Sequence, residues 1–241
     1  MEKKIRIDRL LSELGHGSRT EIKKLLKKGI VTVNGEIMCR PECKVDPKVD
    51  RICFQGAPVK YETYEYYLLN KPAGYVTACK DNLHPTVLEL IPSERTDLFP
   101  VGRLDIDTEG LLLVTNNGAL SHHLLSPAHH VAKTYYVQLD SEVTVEQKSI
   151  LEKGIDIGDK EKTLPAYLEI DSENKHHVRL TITEGRYHQV KRMFHALGHS
   201  VVYLQRISMG DLALPQTLSV GSAISLTEDQ IQKLFYREDH K

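Results

Sequence analysis

The densest concentration of reactive side chains is Gly102-Arg103-Leu104-Asp105-Ile106-Asp107-Thr108-Glu109-Gly110. Three carboxylates and a guanidinium there precede the apolar run Leu111-Leu112-Leu113-Val114. Acids at this spacing suggest cation binding, metal-assisted hydrolysis, or work by one carboxylate beside an arginine. Calcium fits poorly. Asp105, Asp107, Glu109 and Gly110 match the first, third, fifth and sixth places of a calcium loop, but the twelfth is Asn116, so the bidentate carboxylate is missing. Taken alone, the segment is most simply a solvated acidic turn. A catalytic reading needs partners from elsewhere in the chain.

Candidate partners lie downstream. Glu184-Gly185-Arg186-Tyr187-His188-Gln189-Val190-Lys191-Arg192-Met193 is polar and basic. Arg186, His188, Lys191 and Arg192 can anchor phosphates or neutralise a carboxylate, or simply form a wet helix face. Tyr135 belongs to the strand-like run Lys133–Leu139, where a buried tyrosine is usually core. His122, His123, His129 and His130 invite a metal, but the His-Glu-x-x-His pattern is absent and the acids sit in other elements.

The elements that must hold these groups read as strands and short helices. Tyr66–Asn70 is a strand, and Lys71-Pro72-Ala73-Gly74 turns it into an extended Tyr75-Val76-Thr77. Leu111–Thr115 is a buried strand, so the acidic loop hangs on a rigid element. His177–Thr183 alternates with a period of two, and an amphipathic helix is predicted over 187–197, ended by Gly198.

The N-terminal part has a different character. Residues 1–60 carry 14 Lys/Arg and 8 Asp/Glu, a net of +6, and the remainder carries −7. A basic module beside an acidic one suits a polyanionic partner. Ile7, Leu10, Leu11 and Leu14 form one helix face. Ser18-Arg19-Thr20-Glu21 has capping-box spacing for a second helix. That helix presents Lys23, Lys24, Lys27 and Lys28, like charges that repel at i, i+4 and that phosphates would offset. Taken as a lone lysine cluster, they are more simply an ordinary solvated helix face. Val31-Thr32-Val33-Asn34-Gly35-Glu36-Ile37 then signals a tight hairpin, and residues 55–65 read as a linker. This order resembles the alpha-L RNA-binding motif over residues 5–52, which turns the lysine face toward RNA. No run approaches ~18 apolar residues, so no membrane span is expected. The four cysteines form no Cys-x-x-Cys pair.

Lys71-Pro72-x-Gly74, Gly102-Arg103-Leu104-Asp105, Lys133-Thr134-Tyr135 and Glu184–Met193 occur in one order. With the N-terminal module, they resemble the RsuA family of bacterial ribosomal RNA pseudouridine synthases. Asp81-x-x-His84-Pro85-Thr86-Val87 and Ser126-Pro127-x-His129-His130 resemble its small-subunit branch.

The resemblance implies an α+β fold. A small S4-like domain (1–60) would precede a catalytic domain (61–241) on a mixed, largely antiparallel sheet with flanking helices. It implies isomerisation of a uridine, uridine 516 of 16S RNA in the usual bacterial numbering, without cofactor or metal. Asp105 would be the essential carboxylate, attacking the sugar or abstracting a ribose proton. Lys191 would keep it ionised, Tyr135 would pack on the base, and Leu180 would wall the pocket. Arg103 would fill the space of the flipped nucleotide. Arg186, His188 and Arg192 would join the lysine face in contacting RNA. The expected partner is ribosomal RNA, free or in a small-subunit assembly particle, with the chain a cytoplasmic monomer. Large-subunit RNA as target, or RNA binding without chemistry, are the alternatives.

Overall fold

The apolar spacing of the first residues produces the helix that it predicts. In this computed structural model, which describes residues 4–235, strand β1 (Ile5–Arg6) leads into α1 (Ile7–Glu13), and Ile7, Leu10 and Leu11 are fully buried. Helix α2 (Arg19–Lys27) starts at the capping box. The Ser18 hydroxyl accepts from the Glu21 N–H, and the Glu21 carboxylate accepts from the Ser18 N–H at 2.8 Å. Two donors that the first turn would otherwise orphan are thereby satisfied. Ile22 and Leu26 face the core, while Lys23, Lys24, Lys27 and Lys28 are exposed.

Strands β2 (Val31–Val33) and β3 (Glu36–Ile37) pair across Asn34-Gly35, both with the positive φ of a type I′ turn. Strand β4 (Lys44–Val45) pairs with β1. Strands β5 (Ile52–Phe54) and β6 (Ala57–Pro58) complete a sheet of order β3-β2-β5-β6. The linker expected over 55–65 is therefore partly a strand. Gln55 and Gly56, again at positive φ, make a second tight turn that folds β6 back on β5.

The first compact unit runs through Glu65 and takes in 92–98, against an expected boundary at 60. Arg95 explains the added segment. Its buried guanidinium pairs with Asp97 at 2.8 Å, donates to the Glu62 carbonyl at 2.7 Å and stacks over Tyr61. Thr96 donates to the Ser12 and Glu13 carbonyls.

The second unit holds β7 (Tyr66–Lys71), β8 (Phe99–Val101), β9 (Glu109–Thr115), α3 (Gly118–Leu125), β10 (Lys133–Leu139), α4 (Val145–Leu151), β11 (Tyr167–Ile170), β12 (His177–Ile182), α5 (Gln189–His195), β13 (Val201–Met209), β14 (Leu212–Ala213), β15 (Ala223–Ser225) and α6 (Glu228–Phe235). The main sheet path is β11-β12-β10-β13-β9-β7-β15, with β8 added to β9 and β14 to β13. Among these described strands every pairing is antiparallel except β13 with β9, so the sheet is mixed and largely antiparallel. At that parallel contact Gly110 lies opposite Arg206, at φ +98°, and a Cβ there would collide with the Arg206 carbonyl. Leu68, Leu111, Leu113, Leu120 and Met209 centre one core of this unit.

The predicted helix over 187–197 is shorter than its pattern. His188 adopts a left-handed conformation (φ 48°), so helical backbone begins only at Gln189.

Candidate active site

Asp105 sits in the loop between β8 and β9, and the loop is fastened from beneath. The buried Lys71 ammonium donates to the carbonyls of Asp105 (3.1 Å), Thr108 (2.8 Å), Ile106 (3.3 Å) and Pro72 (3.0 Å). Burial pushes its pKa down to about 8, although Asp107, Glu109 and Asp105 draw it the other way. Thr77 Oγ1 donates to the Leu104 carbonyl at 2.7 Å. A backbone held at this many points cannot easily swing its carboxylate away. The sequence shows Lys71 in a turn and in the Lys71-Pro72-x-Gly74 motif, without a role for its side chain.

The Asp105 carboxylate meets two basic side chains. Lys191 Nζ lies 3.3 Å from Oδ2, and His188 Nε2 lies 3.4 Å from Oδ1. Lys191 also donates to Asp107 at 2.5 Å. Burial alone would lower the Lys191 pKa, but the hydrogen bond to Asp107 and the charges of both aspartates raise it overall. Burial alone would raise the Asp107 pKa, and the Lys191 interaction brings it down. Lys191 is therefore ionised at neutral pH.

Asp105, His188 and Lys191 line a cavity of about 710 Å³ within the second unit. Tyr135, nearly buried, lines it together with Ile182 and Leu204. Leu180 does not. It pairs with Tyr135 across β10 and β12 and is fully buried, so the wall falls to Ile182, two residues on and on the same face. Arg103 is exposed at the cavity. Tyr187, exposed, stacks on the His188 ring at 3.8 Å.

Arg186 and Arg192 have a different employment from the RNA contacts expected of them. Both pair with Asp159, at 3.5 and 2.5 Å. Arg186 also donates to the Glu161 and Lys162 carbonyls, and Arg192 to that of Ile157. Their donors are spent bracing the loop from Ile157 to Lys162 against the start of α5. Glu109 is structural too, accepting from Tyr203 Oη at 2.7 Å. Among the described residues no group of three His, Cys, Asp or Glu side chains is placed to hold a metal ion. His123 and His129 instead contact each other, with ring centroids 4.3 Å apart.

A basic helical module and a mixed sheet carrying Asp105 beside a lysine, in a cavity of about 710 Å³, define the class of RNA pseudouridylate synthases. The model of that family, "RNA pseudouridylate synthase", matches residues 65–196, and the S4 domain model matches residues 5–49. The chain is 44% identical over 95% of its length to the uncharacterized RNA pseudouridine synthase YtzG of Bacillus subtilis (strain 168), covering 98% of that protein. It is 40% identical to Ribosomal small subunit pseudouridine synthase A of Escherichia coli (strain K12), over 94% of this chain and 98% of that one. A solved structure described as a pseudouridylate synthase superposes with a TM-score of 0.67 at 39% identity, covering 95% of this chain and 99% of that one. The chain belongs to the RNA pseudouridylate synthase family, in its RsuA group, and is an RNA pseudouridine synthase.

Proposed function

We propose that this enzyme isomerises one uridine of small-subunit ribosomal RNA, uridine 516 in the usual bacterial numbering, with Asp105 as the essential carboxylate. The observation that carries the mechanism is the placement of Asp105, pinned through its backbone by Lys71 and through its side chain by Lys191. The target rests on the 40% identity to the Escherichia coli small-subunit enzyme.

The reaction exchanges the N1–C1′ bond of uridine for a C5–C1′ bond. It needs no redox change and no added group. A hydrolase pairs two carboxylates around a water, whereas an isomerase must retain the base and exclude water, so one carboxylate suffices. Asp105 acts on the ribose, as nucleophile at C1′ or as base at C2′, with the Lys191 ammonium paired to its carboxylate. Tyr135 packs on the base, and Ile182, in place of Leu180, walls the pocket. Arg103 fills the stack left by the flipped nucleotide. Flipping costs a few kcal/mol, and the lysine face of α2 offsets it through phosphate contacts, with His188 contributing at the cavity. The enzyme acts as a cytoplasmic monomer, on free RNA or an assembling particle.

The test is to map pseudouridine in both ribosomal RNAs from cells with the gene, without it, and with Asp105→Asn. One small-subunit pseudouridine should vanish and return only with the wild-type gene. A loss in large-subunit RNA would overturn the target. An unchanged map would leave RNA binding alone, and restoration by Asp105→Asn would overturn the role of the carboxylate.

A further inference from the structure

Alternation along β10 sends Lys133, Tyr135 and Val137 to the buried face of the sheet. The pairs Tyr135↔Arg206, Val137↔Leu204 and Lys133↔Ile182 place Arg206, Leu204 and Ile182 on that face as well. Two of these positions are charged, on a surface that is otherwise apolar and aromatic. Arg206 is 2% exposed and Lys133 8%, and both line the cavity that holds Asp105.

Neither cation is neutralised. Arg206 Nε donates to the Leu111 carbonyl at 2.7 Å, but its Nη2 is buried with no hydrogen-bond partner. Lys133 Nζ donates to the Val131 carbonyl at 2.9 Å. Among the described residues neither makes an ion pair. The residues opposite Lys133 on the neighbouring strands, Met209 and Ile182, are apolar. Burial, and then the charge of Arg206, press its pKa down to about 8. Buried charge without a counter-charge costs several kcal/mol. A fold that keeps two such charges at a reaction cavity is preorganised for negative charge that arrives later.

Resting on the assignment of this cavity to the isomerisation, we propose that Arg206 and Lys133 receive the carbonyl oxygens of the target uracil and stabilise its leaving anion. When N1–C1′ breaks, the electron pair stays on the base, giving a uracil monoanion with charge on N1, O2 and O4. The base turns, C5 bonds to C1′, and the C5 proton passes to N1, so atoms and electrons balance. Both cations hold the anion while it turns. A backbone phosphate does not fit this place. It brings a chain on both sides, whereas Arg206 and Lys133 lie at the buried floor between Tyr135, Ile182 and Leu204.

The test is single-turnover kinetics on a small-subunit RNA transcript carrying uridine or 5-fluorouridine at the target, read as loss of the N-glycosidic linkage. Fluorine stabilises the base anion, so it substitutes in part for the cations. Arg206→Met should slow uridine cleavage about 100-fold with unchanged RNA affinity and a native melting profile. Its deficit should shrink at least several-fold on the fluorinated base, and Arg206→Lys should recover part of the rate. Lys133→Met, which leaves the Arg206–Leu111 bond intact, should show the same pattern more weakly. It keeps the test decisive should Arg206→Met fail to fold. Wild-type rates in either variant, or equal deficits on both bases, would overturn the proposal. Asp105→Asn is the control for the cavity itself. If it cleaves normally, the reading of the site has failed, a result separable from any outcome at Arg206.

Discussion

Lys191 lies closer to Asp107, at 2.5 Å, than to Asp105, at 3.3 Å. Sequence spacing alone makes Asp105 and Asp107 look interchangeable; the Gly102-Arg103-Leu104-Asp105 motif favours Asp105, and the fold separates the two physically. Asp105 is backed by the Lys71 clamp and faces the cavity. The Asp107 side chain is 66% exposed and absent from the cavity wall. An exposed pair of this kind contributes little stability. Its effect is to divide the attraction of Lys191 between two carboxylates.

Asp107→Asn should therefore fold normally and keep its turnover within about threefold of wild type. Lys191→Met, by contrast, removes the cation next to Asp105 and should lower the single-turnover rate about 100-fold. Comparable deficits in the two variants would show that Asp107 is the working partner of Lys191.

The Asp159 carboxylate joins Arg186 and Arg192 into one brace, and the arginines hold its pKa down against burial. Asp159→Ala leaves two guanidinium groups without their acid. The loop from Ile157 to Lys162 should then be cut faster in limited proteolysis, and activity should fall several-fold because Lys191 lies on the braced helix. Unchanged proteolysis would show that the carbonyl bonds of the arginines suffice.

Much of the fold is legible in the sequence, and the reasons for the gaps are physical. Helix α1, the capping box, the Asn34-Gly35 turn and β10 are local features, decided by apolar spacing and turn chemistry. Asp105, Lys191 and Tyr135 stand out through their motifs. Asp159 and Arg95 do not, and the Lys71 motif names no role for its side chain, because these roles are fixed by partners that only tertiary folding brings near. Lys133 and Arg206 do carry a sequence signal. Each falls in phase with buried residues of its strand, Tyr135 and Leu204 respectively, so period two alone puts a charge on the core face. Leu180 fails as the pocket wall because alternation places Leu180 and Ile182 on one face without saying which borders the cavity.

The exposed lysines of α2 offer a binding prediction. Replacing Lys23, Lys24, Lys27 and Lys28 by glutamine should weaken RNA binding and flatten its salt dependence. The slope of log K against log salt should drop by about 0.7–0.9 for each phosphate that the variant no longer neutralises. The fold should survive, since none of these side chains is buried. Binding measured across a salt series checks this, and an unchanged slope would remove the α2 face from the RNA interface.

In the first unit, Asp8 has a fully buried side chain with Arg6 and Arg19 each at 2.9 Å. Burial alone would raise its pKa, but the two guanidinium groups bring it below the ordinary aspartate value. A depressed carboxylate stabilises the fold above the unfolded pKa near ~3.9. The contribution fades as pH falls through the lower folded value. Urea unfolding between about pH 2 and 5 should show an acid limb for wild type that Asp8→Asn flattens.

Lys133 gives the opposite sign. Its folded pKa is about 8, against ~10.4 in an unfolded chain. Between those values the unfolded chain carries more protons, so this residue makes stability rise with pH over that window. At neutral pH it is a net burden, with a ceiling of about 3 kcal/mol. Lys133→Met relieves that burden and loses the hydrogen bond to Val131, worth about 1 kcal/mol. The variant should therefore be more stable than wild type at pH 7 by up to about 2 kcal/mol, and the advantage should shrink toward pH 10. Denaturant titrations of both proteins at pH 7 and 10 check the sign. A gain in stability at pH 7 together with a slower reaction would mark Lys133 as a charge kept for chemistry at the expense of the fold. A loss of stability at pH 7 would mean that the lysine is held there by packing.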